Sequence, residues 1–352
     1  MIEVGLVGFG LAGRCFHAPV IRAVDGLHLA AILQRTGDTA AVTYPDTHIV
    51  RTIDELLAID SLQVIVVATP NRTHYPIAKH CLEAGRHVVV DKPFTTTVAE
   101  ALELLHIARQ RERVLMVYHN RRFDADFQGL RKLIDCGELG RIVRFENTYD
   151  RFRPTSKPGA WREQPGPGSG VLFDLAPHLL DQAFLLLGEP LAISADIRTE
   201  RPRFSTDDAF DLLLHYPGGT RALLRATMLA PTPRPRFVVF GENGSYVKRD
   251  FDPLENSLRH GYVPPTPDSW LLEKQENWGE VNLVASDSRT THKVASWGDW
   301  RDFYVNVRDV IVGNAAPLVT AQQALDVMLA LKLAHESHEK CATLPWQRIQ
   351  FV

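Results

Sequence analysis

Cysteine is scarce in this chain: Cys15, Cys81, Cys136 and Cys341 are the only four among 352 residues, and they are scattered. That spacing excludes both a disulfide-held small domain and a paired metal site, so no metal is expected and the four thiols belong in a reducing, cytoplasmic compartment. Surplus charge of one sign is also missing. The net charge of −3 lacks the basic excess needed to bind a phosphate backbone, so nucleic acid is not an expected partner. No apolar run reaches the roughly 18 residues that span a bilayer, and no basic leader with a cleavage site precedes the first apolar run, so no membrane association is expected.

What is present is an ordinary globular composition, 45% hydrophobic and 23% charged, which argues for a folded chain. Its 352 residues exceed what one core usually serves, so two domains are expected, residues 1–121 and 122–352. In the first, strand-like and helix-like segments alternate. Ile2 to Val7, Leu27 to Leu33, Val64 to Ala68, His87 to Val90 and Val114 to His119 read as strands. Between them, a segment from the first glycines to Val24, then Ile53 to Ala58, Thr73 to Ala84 and Val98 to Gln110 read as helices. That order predicts a doubly wound Rossmann sheet.

The first strand runs into Gly8-Phe9-Gly10-Leu11-Ala12-Gly13. Gly8 suits a tight turn, Gly10 close approach of a pyrophosphate, and Gly13 close helix-to-strand packing, which together make a dinucleotide cradle. After the second strand comes Gln34-Arg35-Thr36-Gly37, with no acid before Asp38. A missing carboxylate removes repulsion against a 2′-phosphate and Arg35 and Thr36 can bind one, so NADP(H) is preferred and NAD(H) possible. The residues alone also allow Arg35 to point into solvent.

Ligands of open α/β sheets lie beyond the carboxyl ends of the strands, which selects Thr69-Pro70-Asn71, Asp91-Lys92-Pro93 and the loop around Asn120. Lys92, between a buried strand and a proline, is either an ordinary solvated lysine or a fixed donor to a reacting oxygen. Past Phe123 the alternation stops. Segments 209–216 with 220–228 and 236–240 with 246–248 flank glycine turns as hairpins, so the second domain is expected to be an open antiparallel sheet with helices, α+β in kind. After a proline- and glycine-rich loop, Asp174 reads as a helix N-cap with Pro177 in the first turn, and His178 follows four residues later on the same face. A histidine can take and return a proton near neutral pH, but spacing alone also allows a capping aspartate beside an unrelated packed histidine. His17 is open between a cofactor-side and a packing role.

Taken together, the glycine turn, Thr69-Pro70-Asn71 with His74, Asp91-Lys92-Pro93 and Asp174-x-x-x-His178 resemble the glucose-fructose oxidoreductase, inositol dehydrogenase and MocA family over essentially the whole chain. Segments 118–124, 150–154, 161–163 and 173–182 are similar to a branch that includes an NADP-dependent scyllo-inositol dehydrogenase. The resemblance implies hydride transfer between nicotinamide and a hydroxyl or keto carbon of a sugar, polyol or cyclitol, with Lys92, Asp174 and His178 as the catalytic set. It further implies that Thr69, Pro70, Asn71, His74 and Asp91 border the nicotinamide or its ribose, and that Asn120, Arg122 and Trp161 line the cleft. Asp91 stands where the family usually has glutamate, one methylene longer. A homodimer or homotetramer through the second domain's sheet is implied as well. Two other functions stay open: transient oxidation that starts another sugar reaction, and a dinucleotide-responsive binding protein without turnover.

Overall fold

Buried runs of branched residues build the first sheet. In the computed structural model, which describes residues 1–156, 159–263, 273–285, 288–295 and 297–351, it comprises β1 (Ile2–Val7), β2 (Leu27–Leu33), β3 (His48–Val50), β4 (Val64–Val67), β5 (His87–Asp91) and β6 (Leu115–Tyr118). All pairs are parallel, in the order β3-β2-β1-β4-β5-β6, which is the doubly wound arrangement. Helices α1 (Ala18–Arg22), α2 (Thr39–Thr43), α3 (Ile53–Leu57), α4 (His74–Glu83) and α5 (Val98–Gln110) make the crossovers. Thr97 and Glu100 close a capping box at the start of α5. The expected first helix is interrupted: Gly13–His17 forms a π turn in which Ala18 N–H reaches back to Gly13 O. Pro19 has no N–H to offer the preceding turn, which favours that widening.

The second part contains α6 (Ala125–Asp135), β7 (Ile142–Asp150), α7 (Gly170–Leu187), β8 (Ala192–Arg198), β9 (Ala209–His215), β10 (Arg221–Thr227), β11 (Phe237–Gly241) and β12 (Gly244–Lys248). It continues with α8 (Leu254–Arg259), β13 (Gly279–Ala285), β14 (Ser288–Val294), α9 (Arg301–Ile311), α10 (Ala321–Lys340) and β15 (Leu344–Pro345). The sheet order is β14-β13-β12-β11-β7-β10-β9-β8-β15. Both expected hairpins form, with Leu212 opposite Leu224 and Val239 opposite Tyr246. The sheet is nevertheless mixed, because β7 and β10 run parallel. Helix α7 carries the chain back across the sheet before β8, and the β9–β10 hairpin then fills the place beside β7. Part of the weakly patterned stretch from Asp252 to Trp297, residues 264–272, 286–287 and 296, lies outside the described residues.

Helix α7 corrects one expectation. Its 18 residues are long and apolar enough to cross a membrane by length and composition, but most of that surface is buried within the protein. It packs on β7, β9 and β10 and against α10. Helix α10 also contacts α5 and β6, and α9 contacts α1, so the C-terminal helices clamp one sheet to the other. Tyr304 Oη lies 2.6 Å from His17 Nδ1, and Arg308 Nη1 donates to Asp25 O at 2.6 Å, across the same seam. Buried apolar residues of both parts join in one continuous core.

Candidate active site

A cavity of about 970 Å³ opens beyond the carboxyl ends of β1, β2, β4 and β5 and is closed on its far side by α7 and the chain after β7. Its floor is the glycine turn. Gly8 has φ +100°, and a Cβ there would stand 2.6 Å from Ala68 O; a Cβ on Gly13 would stand 2.0 Å from Gly8 O. The fold itself therefore requires both glycines. Gly10 differs: a Cβ would meet nothing within 4 Å, so the fold leaves open space above it where a pyrophosphate can approach the backbone. Phe9, Leu11 and Ala12 line the cavity beside it. This cradle fits a dinucleotide.

At the ribose end Arg35 and Thr36 line the cavity, and Arg35 is exposed without an ion pair among the described residues. Sequence reading missed Arg51, which donates to Gln34 O at 2.8 Å and Gly37 O at 2.6 Å and pairs with Asp38 at 2.6 Å. It thereby shapes the loop and neutralises its one carboxylate. Arg51 follows the three-residue strand β3, too short for a pattern to announce it.

Thr69, Pro70, Asp91, Asn120 and Trp161 line the middle of the cavity. Asn71 and His74, expected at its border, are instead buried behind the wall. Asn71 Nδ2 donates to Gly168 O at 2.6 Å, and the His74 ring nitrogens lie 2.8 Å from Pro93 O and 2.9 Å from Thr69 O. Both brace loops that reach the cavity. His17 is likewise fully buried, packed against Tyr118 and Tyr304, with Nε2 3.8 Å from Asp91. Burial would raise the Asp91 pKa, but His17 and Lys92 outweigh it and hold the carboxyl below its ordinary value. Asp91 Oδ1 accepts the Lys92 N–H at 2.8 Å, so the shorter side chain found here fixes the lysine's backbone.

Lys92 Nζ reaches across to α7, donating to Asp174 O at 2.6 Å and Asp174 Oδ1 at 3.1 Å. Asp174 is not the helix cap, because α7 begins at Gly170 with Ser169 in the cap position. Asp207 serves the helix start instead, accepting Leu172 N–H on its carboxylate at 2.6 Å and Val171 N–H on its backbone oxygen at 3.0 Å. Asp174 is thus freed to face the cavity, where Arg162 pairs with it at 3.1 Å. Burial opposes its charge, but Lys92, Arg162 and Arg151 hold its pKa well below the carboxylate range. Pro177 correspondingly sits within the helix rather than in its first turn, leaving Phe173 O without a ladder partner. One turn beyond Asp174, His178 also lines the cavity, 6% exposed, its Nδ1 buried without a hydrogen-bond partner among the described residues. Burial, then the positive charges of Lys92 and Arg121, push its pKa well below the ordinary histidine value. It is a neutral imidazole at neutral pH, able to accept a proton.

Arg122 does not line this cavity. Its Nε and Nη2 grip Asp181 at 2.7 and 2.5 Å, and Nη1 donates to Leu318 O at 2.7 Å. Asp181 follows His178 by three residues, so Arg122 anchors α7 from behind to the chain before α10. The neighbouring Arg121 lines the cavity, as do Arg151, Arg153, Arg201 and Arg259. Sequence reading assigned none of these a role, since only the pair at 151 and 153 carries a local signal, an alternation along a strand.

A nucleotide cradle at the head of a parallel sheet, faced across one cavity by a fixed ammonium and a neutral imidazole, belongs to the nicotinamide-dependent dehydrogenases. Comparison with known proteins agrees: residues 2–119 match the oxidoreductase family with NAD-binding Rossmann fold, and residues 127–247 match the GFO/IDH/MocA C-terminal domain. The chain belongs to the Gfo/Idh/MocA oxidoreductase family. It is 41% identical to the uncharacterized oxidoreductase YdgJ of Escherichia coli, covering 97% of this chain and 98% of that one. It is 33% identical to the scyllo-inositol 2-dehydrogenase (NADP(+)) IolW of Bacillus subtilis, covering 97% and 95%. The solved yvaA oxidoreductase of Bacillus subtilis superposes with a TM-score of 0.94 at 32% identity, covering 98% of each chain.

Proposed function

We propose that the chain is an NADP(H)-preferring dehydrogenase, with NAD(H) a poorer cofactor, acting on a hydroxyl or keto carbon of a sugar, polyol or cyclitol of the scyllo-inositol kind. The observation that carries this reading is the placement of Lys92 and His178, from different parts of the chain, on one cavity with Asp174 between them. When bound, the dinucleotide supplies a hydride acceptor or donor. Gly8 to Ala12 would seat its phosphates, Arg35 and Thr36 its 2′-phosphate, and Thr69, Pro70 and Asp91 the nicotinamide end. Lys92 Nζ, already fixed by Asp174, donates a hydrogen bond to the substrate oxygen and stabilises negative charge developing there. His178 accepts the hydroxyl proton during oxidation and returns it during reduction. Its depressed pKa supports this, because the base form is the one present before the alcohol arrives. Asn120 and Trp161 would shape the site around the substrate.

The same reading places the domain division near residue 121, the protein in the cytoplasm, and a homodimer or homotetramer on the half-exposed sheet face that carries the Arg225–Glu146 and Arg198–Asp211 pairs. NADPH or NADH absorbance, followed across polyols, inositols, their keto forms and the corresponding sugar acids and sugar phosphates with both cofactors, tests the reaction. Turnover of at least one such substrate, faster with the phosphorylated cofactor, is expected; no turnover across the panel refutes the assignment.

A further inference from the structure

The cavity carries more positive charge than a dinucleotide and an uncharged polyol call for. Ten basic side chains line it against five carboxylates, and only Arg35, Arg51 and Arg72 lie on the dinucleotide side away from α7. At the other end, four of the six arginines are already matched. Arg121 pairs with Asp124 and Glu255, Arg162 with Asp174, Arg201 with Asp208 and Glu163, and Arg259 with Glu255. Arg151 and Arg153 have no carboxylate partner among the described residues. Among the described residues the Arg151 guanidinium meets Tyr149, donating to its hydroxyl at 3.1 Å and lying 4.6 Å from its ring centre.

These two arginines are not on a loose loop. Arg151 N–H donates to Thr227 O at 2.9 Å, Arg153 N–H donates to Met228 O at 2.8 Å, and Phe152 bridges Leu229, so the segment after β7 is held in extended form against the end of β10 and the chain leaving it. An extended chain alternates its side chains, and here Arg151 and Arg153 both turn into the cavity while Phe152 is 56% exposed. The two guanidinium groups therefore share one space. Burial, then the like charges of Arg151 and Arg259, lower the Arg153 pKa more than the more distant Asp174 carboxylate raises it. Asp174 feels both arginines and Lys92, which puts the pair at the substrate end.

We infer that the substrate carries an oxyanion, a phosphate monoester or a carboxylate, which Arg151 and Arg153 hold while Lys92 and His178 act on a hydroxyl elsewhere on the same molecule. This rests on the dehydrogenase reading and narrows it from neutral cyclitols to sugar phosphates or sugar acids. Planar forks suit both anions, and removing either arginine's charge-assisted hydrogen bond should weaken binding about tenfold or more.

The test uses the full chain saturated with NADP, so that the probe cannot occupy the dinucleotide's own phosphate site. Titration calorimetry with glucose 6-phosphate, gluconate and glucose, on wild type, Arg151→Gln, Arg153→Gln and Arg153→Lys, is paired with kcat/KM for the same compounds. Tighter binding of one anionic compound than of glucose, weakened about tenfold or more in each glutamine variant and partly kept in Arg153→Lys, supports the inference, and whichever anion wins identifies the source. Unchanged NADP binding certifies that the variants are folded. Equal binding of glucose and both anions, or anion binding indifferent to the variants, overturns it. Arginine-dependent anion binding without turnover of any compound would keep this inference and count against the dehydrogenase reading. Turnover of glucose alone would do the reverse.

Discussion

The two ends of the cavity are built on different plans. The dinucleotide end is local: one turn of six residues supplies the cradle, and two of its three glycines, Gly8 and Gly13, are dictated by backbone contacts just past the ends of β1 and β4. The substrate end is assembled from β5, the chain after β7, α7 and α8, and it is held by ion pairs rather than by turns. The difference teaches where the specificity resides. A cradle fixed by sterics accepts one kind of cofactor, whereas a ring of mutually restraining charges can be retuned by single substitutions.

The largest effects should therefore fall on the charged end. Lys92→Ala or His178→Ala should each lower kcat by about 10²–10⁴-fold, as loss of a positioned donor or base does. NADPH binding, measured by fluorescence titration, should change little in either. An equal loss of cofactor affinity would erase the distinction between the ends.

Next in size is Arg122→Ala, which removes one partner of a buried pair and should cost about 3–5 kcal/mol of stability in a denaturant titration. If Arg122 anchors α7 rather than touching substrate, the folded fraction of the variant should keep its KM. A large KM change without destabilisation would return Arg122 to the cleft. At the dinucleotide end, Arg35→Ala should weaken NADPH about tenfold while leaving NADH unaffected, since one charge-assisted hydrogen bond to the 2′-phosphate is removed. Equal affinities for both cofactors in the wild type would remove Arg35 from this role.

The smallest effect is on pH dependence. His178 must be neutral to accept a proton, and its pKa lies well below the ordinary histidine value, so kcat/KM for oxidation should stay level from pH 8 to about 6.5 and fall only in more acid solution. Stability should follow the same sign. His119, pushed down to about 4 by burial, and His178 resist protonation when folded, whereas the unfolded chain takes up protons from about pH 6.5 downward. Stability is therefore lost as pH falls through that window. A Tm unchanged between pH 7 and 5 would contradict this.

The same contrast decides what could be read from the sequence. Gly8, Gly10 and Gly13 act through their own backbone, so their roles were visible in order and spacing, as were the strands from β1 to β6 other than β3 and the helix Val98–Gln110. Asp174 was misread as a cap because the residue serving the start of α7, Asp207, comes from more than 30 positions further along. Arg122 was misplaced for a similar reason: its neighbour Arg121 faces the cavity, and only the partner Asp181 reveals that Arg122 turns away. The parallel pairing of β7 with β10 depends on where α7 lays the chain down, which no local pattern records.

The central claim is that Lys92 and His178 act together on one substrate oxygen. A double-mutant cycle on kcat for the best substrate from the panel, comparing Lys92→Ala, His178→Ala and the combined variant, tests it most directly. Joint action predicts that the combined variant loses little more than the worse single one. Losses that multiply would show two groups working independently and would contradict the account.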